Sequence, residues 1–170
     1  QRDSEAAAAV AGKIESVGRR VMSVAVDSVD PAAVRSVVHR TVREFGRLDI
    51  LVNNAAMFHV APLSELDVAD FDRTVAVNVR APFVAAKAAA EHMGSGGRVI
   101  TIGSNMVGRT VFPGFSLYSM SKTALVGLTK GLSRDLGSQG ITVNLVNPGP
   151  TDTDSNPADS PLADTIAGFT

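Results

Sequence analysis

The chain has 170 residues, of which 45% are hydrophobic and 19% charged, with a formal net charge of −1. That is one domain's length with enough apolar material for a core, and it excludes disorder, a nucleic-acid surface and a charged tail. Cysteine is absent, which excludes disulfides, thiol catalysis and cysteine-based zinc sites and fits a reducing cytoplasm.

Taken in chain order, the elements alternate. Alanines with spaced Val10, Ile14 and Val17 predict a helix from about Asp3 to Gly18. The β-branched run "RVMSVAVD" predicts a strand stopping at Asp27. Asp30 before Pro31 predicts the cap and first turn of a helix through Phe45, closed by Gly46. "DILV" predicts a short buried strand, followed by the loop "NNAA" and a helical region from about Asp67 to Met93. "RVITIG" predicts another strand, Ser116 to Leu136 a helix, and "ITVNLV" a strand ended by Asn147 and Pro148. The most apolar region, Val75 to Met93, is interrupted by Asn78, Arg80, Pro82 and Lys87, so no membrane span is expected.

Apolar strands separated by helices predict an α/β domain: a doubly wound parallel sheet, covered by helices on both faces. Ligands of such sheets sit beyond the carboxyl ends of the strands. Those positions read Asp27-Ser28, Asn53-Asn54-Ala55-Ala56, Gly103-Ser104-Asn105 and Asn147-Pro148-Gly149-Pro150-Thr151, all small or polar.

Tyr118 is the only tyrosine, and Lys122 follows it by four residues on one helix face. A cation beside a phenol favours its ionised form, which makes the pair a tunable acid/base; a packed ring with a solvated lysine tip is the competing reading. Ser104, at the end of the preceding strand, could share a substrate carbonyl oxygen with Tyr118. Asn78 stands four residues before Pro82, which has no N–H to return to the Asn78 carbonyl, so a kink and a water-holding acceptor are expected there. His39, His59 and His92 show no metal-like spacing and read as surface residues.

In this order, "DILVNNAA", "VNV" around Asn78, "IGS" ending at Ser104, "YSMSK" and "NPGPTDT" resemble the successive motifs of the short-chain dehydrogenase/reductase family. The resemblance implies a Rossmann-like fold and a catalytic tetrad of Asn78, Ser104, Tyr118 and Lys122. It implies NAD or NADP as cofactor, with Asp27 and Ser28 beside adenine, and Asn53, Ala55 and Ala56 along the adenosine ribose. Pro148, Gly149, Thr151 and Thr153 would lie around nicotinamide and pyrophosphate, and Tyr118 and Lys122 would hold the nicotinamide ribose. Arg2 falls where the family reads a 2′-phosphate and tilts the choice toward NADP. The resemblance to 3-oxoacyl-carrier-protein reductases and their alcohol dehydrogenase relatives implies a ketone or secondary alcohol as substrate. Met57, Phe58, Phe112, Pro113 and Phe115 near the catalytic end point to an apolar or acyl one. Family members pair through the two long helices, 67–93 and 116–136, so a homodimer or homotetramer is implied, with Ala85, Ala86, Ala88, Ala89 and Ala90 allowing close approach.

Four departures accompany the resemblance. Ala56 replaces the family's glycine, and fourteen residues separate Ser104 from Tyr118, one more than is commonest, so that Asn105 holds the shorter spacing. The glycine-rich phosphate turn has no counterpart, and the family's first two strands and last strand are expected to be missing. The chain is therefore read as a piece of a longer one, with a gap in the sheet between "RVMSVAV" and "DILV". A non-catalytic, protein-interacting module is the alternative function, and the tail around Ser160-Pro161 would supply a lid.

Overall fold

The computed structural model describes residues 4–153 and 157. Arg2 and the lid expected around Ser160-Pro161 lie outside the described residues. The described residues form five α-helices and three strands. Helix α1 spans Ser4–Ser16, α2 Pro31–Phe45, α3 Val68–Val75, α4 Ala81–Ala90 and α5 Ser116–Gly137; β1 spans Ile50–Asn53, β2 Arg98–Ile102 and β3 Thr142–Val146.

Local chemistry sets the helix ends. The Asp30 carboxylate accepts from the N–H groups of Ala32 and Ala33, and Gly46 takes the left-handed conformation (φ 81°) while its N–H returns to the Val42 carbonyl. Asp67 and Asp70 bond each other's backbone N–H in a reciprocal capping box that starts α3.

The strands pair in parallel in the order β1-β2-β3, with Leu51 opposite Val99 and Val99 opposite Val143. Side chains alternate across each strand, so one face gathers Leu51, Val99, Thr101 and Val143. It packs on Val34 and Val38 of α2, Ala85, Ala88 and Ala89 of α4, and Leu136 of α5. Alanines give α4 no bulk, which brings its axis close to both sheet and neighbouring helices.

One expectation fails here. Residues 20–26 join no strand: no described strand lies between them and β1 to accept their backbone bonds. The segment is tethered instead by Arg20, whose guanidinium reaches the Glu44 carbonyl (2.7 Å) and carboxylate (2.8 Å) and lies over the Phe45 ring. One face of edge strand β1 is open among the described residues. Ile50 and Val52 on that face are 56% and 52% exposed, although these strands carry the continuous apolar sequence of a sheet buried on both sides. No helix of the described residues is long and apolar enough to cross a membrane.

Candidate active site

The ends of β1, β2 and β3, the loops after them and the first turns of α5 form one cluster. Gly103 follows β2 with its N–H bonded to the Val146 carbonyl (2.7 Å), and a Cβ at this position would run into the Asn147 side chain. Only glycine lets Asn147 lie across the end of β2, where its Oδ1 accepts the Ser104 N–H at 3.2 Å. Ser104 is thereby fixed and 93% shielded, and its Oγ accepts the Met106 N–H at 3.2 Å, capping a short 3₁₀ turn over Asn105–Val107. That bond occupies the oxygen and leaves the hydroxyl hydrogen to donate elsewhere. Asn105, at the shorter spacing, is exposed.

Lys122 is 5% exposed, unusual for an ammonium, and its Nζ donates to the Ile102 carbonyl at 2.8 Å. Burial pushes its pKa below the ordinary lysine value of 10.5. The same Nζ lies 5.8 Å from the centroid of the Tyr118 ring. The ring is half-buried and meets Phe58 edge to face at 5.0 Å and Phe115 at 6.1 Å. Phe112 extends this aromatic wall, with its ring 5.9 Å from that of Phe115. Ser104 and Lys122 therefore converge on the end of β2, and Tyr118 stands beside Lys122.

Asn78 joins them by a different route from the one expected. The chain between α3 and α4 widens into a π-turn over Ala76–Arg80, in which the Ala81 N–H reaches the Ala76 carbonyl five residues back. The Asn78 side chain, 2% exposed, accepts the Met57 N–H (2.7 Å) and donates to the Met57 carbonyl (2.9 Å) and to Ser121 Oγ (3.0 Å). Ser121 Oγ donates in turn to the Tyr118 carbonyl (2.8 Å). One amide thus ties the loop after β1, the π-turn and the first turns of α5. Ser121 gives no signal in the sequence beyond its position three residues after Tyr118, and Asn147 reads there only as one of the strand-end positions.

The remaining predicted positions fall into two groups. Asn53 donates from Nδ2 to Thr101 Oγ1 (3.2 Å) across the ends of β1 and β2, and Ala55 and Ala56 follow it in an exposed loop. The Pro148 carbonyl accepts the Asn105 N–H (2.9 Å), while Gly149, Thr151 and Thr153 are exposed beyond β3. Asp27 and half-buried Ser28 lie farther out, in the turn before α2. Asp27 lines an open cleft of about 690 Å³ together with Val29, Arg73 and Arg80, the last donating to the Val29 carbonyl at 2.8 Å. This donor set fits a dinucleotide: acceptors and bare backbone along the strand ends, and a buried ammonium at one end. Outside it, His92 is exposed and His39 half-buried, and their rings meet edge to face at 5.1 Å.

The fold is a parallel α/β sheet with a buried lysine, a tyrosine and a shielded serine gathered at its strand ends. The family model described as short chain dehydrogenase matches residues 1–161, and the chain belongs to this family. The cyclic-di-GMP-binding biofilm dispersal mediator protein of Escherichia coli K12 is 45% identical over 140 residues, which are 82% of this chain and 57% of that protein. Hydroxynaphthalene reductase of Aspergillus fumigatus is 37% identical over 145 residues, 85% of this chain and 53% of its own length. The chain spans little more than half the length of these relatives. Among solved structures, a short chain dehydrogenase of Burkholderia cenocepacia J2315 in complex with NADP is 52% identical, with a TM-score of 0.94 over 97% of this chain and 67% of that one. A blue fluorescent protein from a metagenomic library in complex with NADPH is 46% identical, with a TM-score of 0.94 over 99% of this chain and 68% of the other.

Proposed function

We propose that this chain carries the catalytic end of an NADP-dependent oxidoreductase that interconverts a ketone and a secondary alcohol. The observation that carries the reading is Lys122: an ammonium almost wholly removed from water, clamped to the end of β2 and beside the only tyrosine. Burying a charge without use is costly, so a lysine in this place calls for a function.

In the reduction, Tyr118 delivers a proton to the carbonyl oxygen and Ser104 donates its hydroxyl hydrogen to the same oxygen. The Lys122 charge stabilises the negative charge that develops on the phenol oxygen as the proton leaves, and solvent returns the proton afterwards. Asn78 acts through Ser121 and Met57 as a positioning residue. NADPH, when bound, supplies the hydride to the carbonyl carbon. Asp27, Ser28, Asn53, Ala55, Ala56, Pro148, Gly149, Thr151 and Thr153 would line its binding track, with Lys122 and Tyr118 at the nicotinamide ribose. The NADP and NADPH bound by two structural neighbours support this choice over NAD.

The aromatic wall of Phe58, Phe112 and Phe115 beside Tyr118 favours an apolar, aromatic or acyl carbonyl compound. These positioned groups favour catalysis over a non-catalytic, protein-interacting module. We further propose pairing of two copies through α3–α4 and α5, where Phe71 and Phe83 are 45% and 44% exposed. The test is NADPH oxidation with a panel of aromatic and aliphatic ketones. Turnover that vanishes in Tyr118→Phe while NADPH binding persists supports the reading; equal turnover in the variant refutes it.

A further inference from the structure

Two histidines and a glutamate distant in sequence meet on the helix layer, toward the edge opposite the strand ends that hold Tyr118. His39 comes from α2, and Glu91 and His92 from the turn that closes α4. One ligand atom from each of the three lies within 4.8 Å of the others.

Three details point to a shared ion. First, His39 Nε2 is shut off from solvent yet has no hydrogen-bond partner, a costly state for a ring nitrogen unless something occupies its lone pair. Second, the Glu91 carboxylate oxygen stands 3.5 Å from that nitrogen, too far for a good hydrogen bond. Two ligands at zinc distances of about 2.0–2.1 Å in a tetrahedral site are separated by about 3.3 Å, which is close to what is seen. Third, the rings of His39 and His92 cross at 86° with centroids 5.1 Å apart. Two imidazoles bound tetrahedrally to one zinc-like ion place their centroids about 5.2 Å apart.

The surrounding charge narrows the metal. Arg35 and Arg43 lie one turn either side of His39, and Lys87 one turn before Glu91. These cations work against any ion held by charge alone, and two imidazoles with one carboxylate disfavour magnesium or calcium, which need several oxygen ligands, and leave a metal held chiefly by imidazole. His39 also lines an open groove of about 400 Å³ with Ser36, Arg35 and Arg43, which gives an ion a way in and leaves room for water as fourth ligand.

We propose that His39, Glu91 and His92 form a three-ligand site for a divalent transition-metal ion of the zinc type, which staples α2 to the end of α4. Nothing in the oxidoreductase reading requires it. The test uses untagged protein and Co²⁺, whose visible d–d absorption reports tetrahedral nitrogen and oxygen ligation, followed by displacement with Zn²⁺. The expected result is a single equivalent of Co²⁺ displaced by Zn²⁺, and a rise in Tm with Zn²⁺. His39→Gln and His92→Gln should each weaken binding by at least the roughly 10- to 100-fold seen when even an outer partner is lost, and abolish the rise in Tm. His59→Gln, whose ring faces Asp70 at 3.6 Å, should bind like the parent. If His39→Gln fails to fold, exposed His92→Gln decides alone. No stoichiometric binding, or binding undiminished in His92→Gln, would overturn the proposal.

Discussion

Asn78 Nδ2 donates to Ser121 Oγ at 3.0 Å, and through that hydroxyl the π-turn after α3 is joined to the Tyr118 carbonyl on α5. The same amide closes both backbone groups of Met57. Three segments far apart in the chain therefore share one side chain.

Asn78→Ala should leave the Met57 N–H and carbonyl without their partner, at roughly 1–3 kcal/mol for each group stranded. Ser121→Ala should cost less, because only the link to α5 is lost. Urea unfolding measures both. Equal stabilities of Asn78→Ala and the parent would show that the clamp carries no weight.

Ser104→Ala should lower turnover by about 10²–10³-fold, the loss typical of one donor to a developing oxyanion, with little change in NADPH affinity. Asn105→Ala, at the shorter spacing from Tyr118 but exposed, should leave turnover near the parent's. Steady-state kinetics on one ketone distinguishes them, and the reverse ranking would move the carbonyl donor to Asn105.

Lys122 titrates below its ordinary value of 10.5 because burial penalises its charge. The unfolded chain therefore binds the extra proton between the lowered folded pKa and 10.5, and stability gains with rising pH across that window. Below the window the penalty is fully present; above it the penalty is gone. Lys122→Met removes this dependence, so parent stability should climb relative to the variant as pH rises toward 10.5. Parallel stability curves for the two proteins across that range would contradict the burial.

Gly103→Ala should displace the Asn147 amide from the end of β2 and with it the acceptor for the Ser104 N–H. The expectation is a loss of activity larger than the loss of stability, since Ser104 is held by this contact while the sheet is not. Asn147→Gly in the same background should restore part of the stability by removing the clash, but not the activity.

The local pattern of residues determined much on its own. Asp30-Pro31 and Gly46 delimit α2, the capping pair Asp67 and Asp70 starts α3, and the helical spacing of Tyr118 and Lys122 puts them on one face. These depend on contacts within a few residues, which a sequence displays directly. The run at residues 20–26 has the composition of a strand, but a strand exists only where another offers its backbone, and that is a matter of what lies beside it. Likewise Pro82 announced an irregular helix, but only packing against the loop after β1 decided that it would be a π-turn with Asn78 turned inward. The roles of Ser121 and Asn147 and the meeting of His39 with His92 depend on contacts between residues 43 to 53 positions apart, so only the folded chain could bring them into view.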